Sequence, residues 1–321
     1  MNLNFNRVLV TGGAGFIGSH ITEALADALT ADGCEVRVVD NLSTGHLSNL
    51  SHIKDKIMLY EGDIRDQEFM NSAVKGCDVI FHEAAEVSVT RTVQDPITSA
   101  QINELGTLQL LESARQNGVK RVVFACSSAV YGDDPQMPKR EDMLPKPMSP
   151  YAVQKLTGEY YARMYNDLYG LETVSLRYFN VYGPRQDPSS PYSGVISIFM
   201  NKAAEKERPV IYGDGGQTRD FVFVKDVVKA NLLAASIPGI GGQNFNVGIG
   251  TSVSINQLWK MISRMSGLDM SPEYGPARAG DIRDSLSDIS RAQSILGFSP
   301  EYSFEKGLEI TMEWYTTLSE P

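Results

Sequence analysis

Short runs of β-branched and other apolar residues alternate with longer amphipathic stretches through the first half of the chain. RVLVT (Arg7–Thr11), VRVVD (Val36–Asp40), IMLYE (Ile57–Glu61), DVIFH (Asp78–His82), RVVFACS (Arg121–Ser127) and ETVSLRYF (Glu172–Phe179) each read as a buried strand. Between them, Gly15–Ala31, Ile102–Asn117 and Tyr151–Tyr169 carry apolar residues at helical spacing. Apolar strands alternating with helices predict a parallel sheet covered on both faces. After about Gly183 the pattern changes to shorter apolar runs, more Pro and Gly, and scattered Arg, which predicts a smaller α/β lobe. The chain therefore divides into 1–178 and 179–321. FVFVKDVVKANLLAA (Phe221–Ala235) reads as strand then helix, and part of 221–246 is expected to rejoin the first sheet.

A length of 321 residues is compatible with this two-part division, at roughly 100–200 residues per domain. The 29 basic and 39 acidic residues leave a net charge of −10, which disfavours sequence-independent nucleic-acid binding but not an anionic small molecule. Cys34, Cys77 and Cys126 lie far apart, odd in number and without metal-ligand spacing, so a reducing compartment and no metal site are expected. MNLNFN has neither the basic start nor the apolar core of a secretory signal, and the uncharged stretch Ala230–Trp259 is broken by Pro238 and glycines. These features predict a soluble cytoplasmic protein without membrane partners.

Candidate chemistry begins between the first strand and first helix, at TGGAGFIG (Thr11–Gly18). Glycines at 12, 15 and 18 allow a tight turn, let backbone approach a pyrophosphate, and aim a helix N-terminus at the anion. The second strand ends at Asp40, where a carboxylate accepts hydrogen bonds from ribose hydroxyls and repels a 2′-phosphate. NAD rather than NADP is therefore the expected cofactor. Asp63, in GDIRD, reads either as an adenine-side contact or as the cap of the following helix.

SPYAVQK (Ser149–Lys155) places Tyr151 and Lys155 four residues apart, on one helix face. A phenol with pKa near 10 is a poor base at neutral pH, and a neighbouring ammonium shifts it toward the operating range. ACSSAVYG (Ala125–Gly132) ends a strand in hydroxyls, one of which can bridge a substrate oxygen and the phenol.

TGGAGFIG, DNLSTG, GDIRD, HEAAEVSV, SSAVYG, YAVQK and RYFNVYGPRQDP, in this order and spacing, resemble the extended short-chain dehydrogenase/reductase family across nearly the whole chain. Within it they look like the nucleotide-sugar 4-epimerase branch, the UDP-glucose and UDP-N-acetylglucosamine 4-epimerases. The resemblance implies a Rossmann-type doubly wound α/β fold for 1–178 and a UDP-sugar-binding lobe for 179–321. Ser127, Tyr151 and Lys155 match the catalytic triad of that family. Gly12, Gly15, Phe16, Ile17 and Gly18 match its pyrophosphate loop, and Asp40, Asn41, Ser43, Thr44 and Gly45 its adenosine end. Asp63 and Ile64 match the adenine pocket, Ala84 and Ala85 line the cofactor, and Asn103, Tyr178 and Val181 lie toward the nicotinamide. On the substrate side Asn180, Arg219, Arg278 and Asp281 match diphosphate-holding positions, and Ser88 a position beside the sugar. Ser127 and Tyr151 themselves, Ser128, Val195, Tyr212 and Ser285 complete the implied substrate contacts. Glu86 departs from the usual neutral residue at its position.

The implied reaction is a reversible oxidation at the sugar C4, with rotation of a 4-keto intermediate before reduction from the opposite face. Related dehydratases carry Asp and Glu directly after the triad hydroxyl, where Ser128 and Ala129 stand here, so elimination is disfavoured. UDP-glucuronate epimerisation uses the same chemistry and stays open, and a non-catalytic NAD sensor is countered by the presence of both Tyr151 and Lys155. A small residue at Ser285, in RAGDIRDSLSD, implies room for a 2-acetamido group, against the alternative that Ser285 caps a helix beginning near Ile289. Interconversion of UDP-GlcNAc and UDP-GalNAc is expected, with UDP-glucose and UDP-galactose as further substrates. The family also pairs as a homodimer through helices 102–117 and 151–169, for which Leu108, Leu111, Leu156 and Met164 are candidate contacts.

Overall fold

Successive residues of the early strands point to opposite faces of one sheet, and both faces are buried. The structure, a computed structural model, describes residues 3, 5–30, 33–187, 194–277 and 282–319. Strands β1 (Arg7–Thr11), β2 (Glu35–Asp40), β3 (Ile57–Glu61), β4 (Val79–His82), β5 (Arg121–Ser127), β6 (Glu172–Tyr178) and β7 (Gln243–Val247) form a seven-stranded sheet in the order β3-β2-β1-β4-β5-β6-β7. Every pairing is parallel. Val8, Val10, Val79 and Phe81 pack on one face against helices α1 (Phe16–Leu29) and α4 (Val224–Ser236). Leu9 and Ile80 pack on the other against α2 (Thr107–Gln116) and Tyr165 of α3 (Pro150–Tyr169). This is the Rossmann-type doubly wound sheet, whose strand order reverses between β1 and β4, where ligands bind at strand carboxyl ends.

The six predicted strands coincide with β1–β6 to within one residue at either end, but β3 is not the buried strand expected: it is the edge of the sheet, with Met58 and Leu59 exposed. The seventh, β7, and α4 join the sheet layer from beyond residue 178. Strand 221–223 does not join it, because it pairs with 180–182 in a separate two-stranded sheet. The predicted helix 102–117 is two elements: a π-helical turn at Gln101–Gly106 precedes α2. Such a turn inserts an extra residue that apolar periodicity does not reveal.

The second lobe has its own aromatic core. Phe221 stacks on Phe304 with centroids 5.3 Å apart, Tyr182 packs edge-on to Phe304, and Phe199 packs against Trp259. No helix among the described residues is long and apolar enough to cross a membrane.

Candidate active site

The glycine loop leaves β1 and enters α1 with backbone where side chains would not fit. Gly12 sits at φ +67°, and a Cβ there would lie 2.7 Å from Ala84 N; one on Gly18 would collide with the Gly12 carbonyl oxygen. Gly15 is the N-cap of α1 and offers no side-chain cap, so the first-turn N–H groups at Phe16, Ile17 and Gly18 have no side chain standing over them. A close cradle ending in a helix N-terminus is what a dinucleotide diphosphate requires, and the loop fits NAD.

Asp40 closes the adenosine end. Its buried carboxylate accepts N–H groups of Ala14 at 2.9 Å and Leu42 at 2.8 Å, which leaves lone pairs for ribose hydroxyls. A Cβ on Gly45 would lie 2.8 Å from both carboxylate oxygens, so this close approach needs glycine. Asn41 accepts from Ser43 and donates to Asp63 at 3.0 Å, joining the two predicted segments. Asp63 is gripped by the Arg65 guanidinium, which holds its carboxyl down to about 2. The helix at 67–74 is capped by Asp66, not Asp63, so the capping alternative does not hold. Ile64 is buried against Gly106, whereas Thr44 is exposed.

Ser149 caps α3, with Pro150 in its first turn, and this start presents Tyr151 and Lys155 one turn apart. Lys155 Nζ donates to the Ala125 carbonyl at 2.8 Å and lies 6.0 Å from the Tyr151 ring centre. Burial pushes the Tyr151 phenol up to about 12, while its hydrogen bond with Ser127 pulls the other way. Burial also pushes the Lys155 ammonium down. Ser127, at the end of β5, accepts from Ala129 N at 3.2 Å. The three residues meet, but in the chain alone desolvation outweighs the phenol-lowering effect that the Tyr–Lys spacing predicts.

A cleft of about 410 Å³ opens from Ser127 and Tyr151, lined also by Ser128, Tyr178, Asn180, Arg219 and Ser285, with Lys139 and Asp284 on its walls and Lys155 buried behind. Ser285 N donates to Thr218 O, and its neighbours are also tied down: Lys139 N donates across the lobes to Leu286 O at 2.8 Å, and Ser287 N donates within the second lobe to the buried Asp220 carboxylate at 3.0 Å. The helical turn after it starts at Ser290, so Ser285 does not cap it. Val195 and Tyr212 do not line the cleft; Val195 begins helix 195–204 and packs on the lobe core, and Tyr212 is half-exposed on strand 210–212. Arg278 and Asp281 lie outside the described residues.

Several expected contacts are occupied by the protein itself. Ser88 is buried as the N-cap of helix 89–94, its oxygen accepting from Arg91 N at 3.1 Å. Glu86 holds the same helix start, accepting from Ser88 N at 2.9 Å and pairing with Arg91 at 3.3 Å, which accounts for its carboxylate. Asn103 is 3 % exposed and spent on Glu86 and Gln154. Ala84 and Ala85 lie half-buried after β4, and Val181 is half-buried beside Val222.

Two polar residues that the motifs did not single out, Glu83 and His82, bond to residues of the site. Tyr178 OH donates to Glu83 Oε1 at 2.8 Å and accepts from Asn231 Nδ2 at 2.8 Å. His82 bridges Thr11 Oγ1 and Thr107 Oγ1 at 2.7 and 3.0 Å, and burial pushes its imidazole down to about 3. A carboxylate directly after a wholly buried strand was the available signal for Glu83. Among the described residues no cluster could hold a metal ion.

The model of the NAD dependent epimerase/dehydratase family matches residues 8–248. The UDP-glucose 4-epimerase of Mycolicibacterium smegmatis is 42 % identical over 318 residues, 98 % of this chain and all of that protein. The crystal structure of the Thermotoga maritima UDP-glucose 4-epimerase with UDP-glucose superimposes with TM-score 0.92 at 40 % identity, covering 98 % of this chain and 100 % of that one. The UDP-N-acetylglucosamine 4-epimerase of Methanobrevibacter ruminantium, in complex with UDP-N-acetylmuramic acid, gives 0.93 at 41 % identity with the same coverage.

Proposed function

The chain belongs to the NAD-dependent epimerase/dehydratase family, and from that premise we propose that it inverts C4 of UDP-hexoses, UDP-GlcNAc and UDP-GalNAc among them. It is an NAD-dependent enzyme of the UDP-hexose 4-epimerase type. The observation that carries the finer reading is the cleft that opens from Tyr151 and Ser127 and has the small Ser285 in its wall.

Gly12, Gly15 and the first turn of α1 would hold the cofactor diphosphate, and Asp40 the adenosine ribose. Bound NAD supplies reversible hydride transfer at C4. Tyr151 takes the proton of the sugar 4-hydroxyl, Ser127 hydrogen-bonds between the two oxygens, and Lys155 stabilises the phenolate. Asn180 and Arg219 hold the UDP, and a guanidinium suits diphosphate oxygens because its fork pairs with two at once. Firm binding there retains the 4-keto intermediate while a loosely held ring turns over. The test is an epimerisation assay with UDP-galactose, UDP-N-acetylgalactosamine and UDP-glucuronate. Conversion of the acetamido sugar supports the reading; conversion of UDP-glucuronate alone, or of none while NAD stays bound, overturns it.

The same reading includes a homodimer. Val93, Ile97, Val153, Tyr160, Met164 and Leu168 leave an exposed apolar strip along helices 89–94, 96–100 and α3, and a second copy would cover it. Leu111 is buried under the sheet, and Leu108 and Leu156 pack on core clusters, so of the four predicted contacts only Met164 faces outward. Sedimentation should show a dimer, and a monomer at every concentration would refute it.

A further inference from the structure

Glu83 is the first residue after β4, and its backbone is fixed from two directions. Its N–H donates to Thr11 O at 3.2 Å, and its carbonyl carbon lies 3.1 Å from where a Cβ on Gly12 would sit. The carboxylate turns inward. The Tyr178 hydroxyl donates to its Oε1 at 2.8 Å, shorter than the 3.1 Å to Asn231 Oδ1, and Asn231, wholly buried on α4, donates to the phenol oxygen at 2.8 Å. Tyr178 also lines the cleft beside Tyr151. A carboxylate is thus anchored to a residue that lines the cleft.

The charged and titratable groups around it are few. Lys155 and Tyr151 face it from α3, Tyr178 from β6, His82 precedes it on β4, and Cys126 on β5 borders the same space. Burial keeps His82 and Cys126 neutral, the first by pushing its imidazole down and the second by pushing its thiol well up. Burial pushes the Glu83 carboxyl up to about 7, against the opposing Tyr178 hydrogen bond and Lys155 charge, so above that pH Glu83 is the negative charge that these groups offer to Lys155. Its field raises the proton affinity of both Lys155 and Tyr151.

We propose that Glu83 is an electrostatic positioning residue for the epimerisation: its anchored carboxylate sets the pH window in which Tyr151 is a base while Lys155 remains an ammonium. The proposal rests on the epimerase reading for what the base does, though not for the electrostatics. Removing a buried negative charge makes both neighbouring protons easier to lose, so both limbs of the pH profile move the same way.

Glu83→Gln keeps the side-chain shape and an oxygen for the Tyr178 hydroxyl, and removes only the charge. The expected result is a kcat profile displaced to lower pH by about one unit or more on both limbs, with KM little changed. Tyr178→Phe, which removes the bond that helps keep the carboxyl ionised, should shift it the same way by less. Independently of turnover, ultraviolet titration of the NAD-loaded protein, with the matching Tyr151→Phe protein subtracted, should show the Tyr151 phenolate forming at lower pH in Glu83→Gln. Superimposable profiles and phenol titrations in wild type and Glu83→Gln would overturn the proposal. A wild type inactive on every UDP-sugar would count against the epimerase reading, and the phenol titration would still decide the role of Glu83.

Discussion

Asn103 Nδ2 donates to Gln154 Oε1 at 2.7 Å, which ties the π-helical turn at 101–106 to the residue preceding Lys155 on α3. The same amide grips Glu86 through both its N–H and its carbonyl. One buried side chain thereby fixes the loop after β4 against the helix that carries Tyr151 and Lys155. Asn103→Ala leaves several buried polar groups unpaired and should cost about 1–3 kcal/mol of stability. It should also lower kcat more than it changes KM for the UDP-sugar. Denaturant unfolding and steady-state kinetics check both effects; unchanged kcat would limit Asn103 to a structural role.

Tyr151→Phe should abolish turnover and leave NAD bound. The phenol carries the proton, and no other described residue depends on its hydroxyl except Ser127. Loss of a general base costs about 10²–10⁴-fold, and more when it acts as a unit with its neighbours. Residual activity within tenfold of wild type would move the base elsewhere.

Most of this architecture is legible in the sequence because parallel strands covered on both faces are rich in β-branched and other apolar residues, as β1, β4 and β5 are. β2 and β6 carry buried polar residues such as Arg37 and Arg177, and β3 keeps its apolar run although Met58 and Leu59 are exposed. β7, QNFNV, has the polar residues Gln243, Asn244 and Asn246 in five positions and does not announce itself; its pairing with β6 puts it in the sheet. The motif residues of the site are legible because each occupies a place where backbone geometry or chemistry admits few alternatives, as Gly12 and Asp40 do. Ser88, Glu86 and Asn103 were harder to read, since whether a polar side chain faces ligand or its own backbone depends on turns that carry no periodic signal. Glu83 was hidden for a different reason. Its partner Tyr178 lies 95 positions further along the chain, on a strand that only the crossover order of the sheet brings near, and Asn231, which bonds Tyr178, lies on α4.

Asp40 predicts the cofactor. The purified protein should release NAD(H), not NADP(H), on denaturation, because a 2′-phosphate would meet a buried carboxylate. Asp40→Ala should lower NAD occupancy and also destabilise the empty protein by about 1–3 kcal/mol, since the Ala14 and Leu42 N–H groups both lose their acceptor. Mass spectrometry of the released nucleotide and unfolding of the stripped protein check the two effects separately. NADP in the wild type would show that Asp40 does not face the ribose.

Ser285 predicts the substrate range. It lies in the cleft wall opposite a floor of Tyr151, Tyr178 and Ser127, on a segment anchored by Thr218, Lys139 and Asp220, so a larger side chain there could not easily be accommodated by backbone movement. Ser285→Tyr should reduce kcat/KM for UDP-GalNAc by tenfold or more, on the scale of about 1–3 kcal/mol that pocket size commonly controls. UDP-galactose, lacking the acetamido group, should be affected much less. The loss should appear for either epimer of the acetamido pair, because exclusion acts on the 2-substituent and not on C4. NAD content and thermal stability should match wild type, which separates steric exclusion from a folding defect. Equal loss on both sugar pairs, or a wild type active on the plain hexoses alone, would remove Ser285 as the residue that sets substrate size.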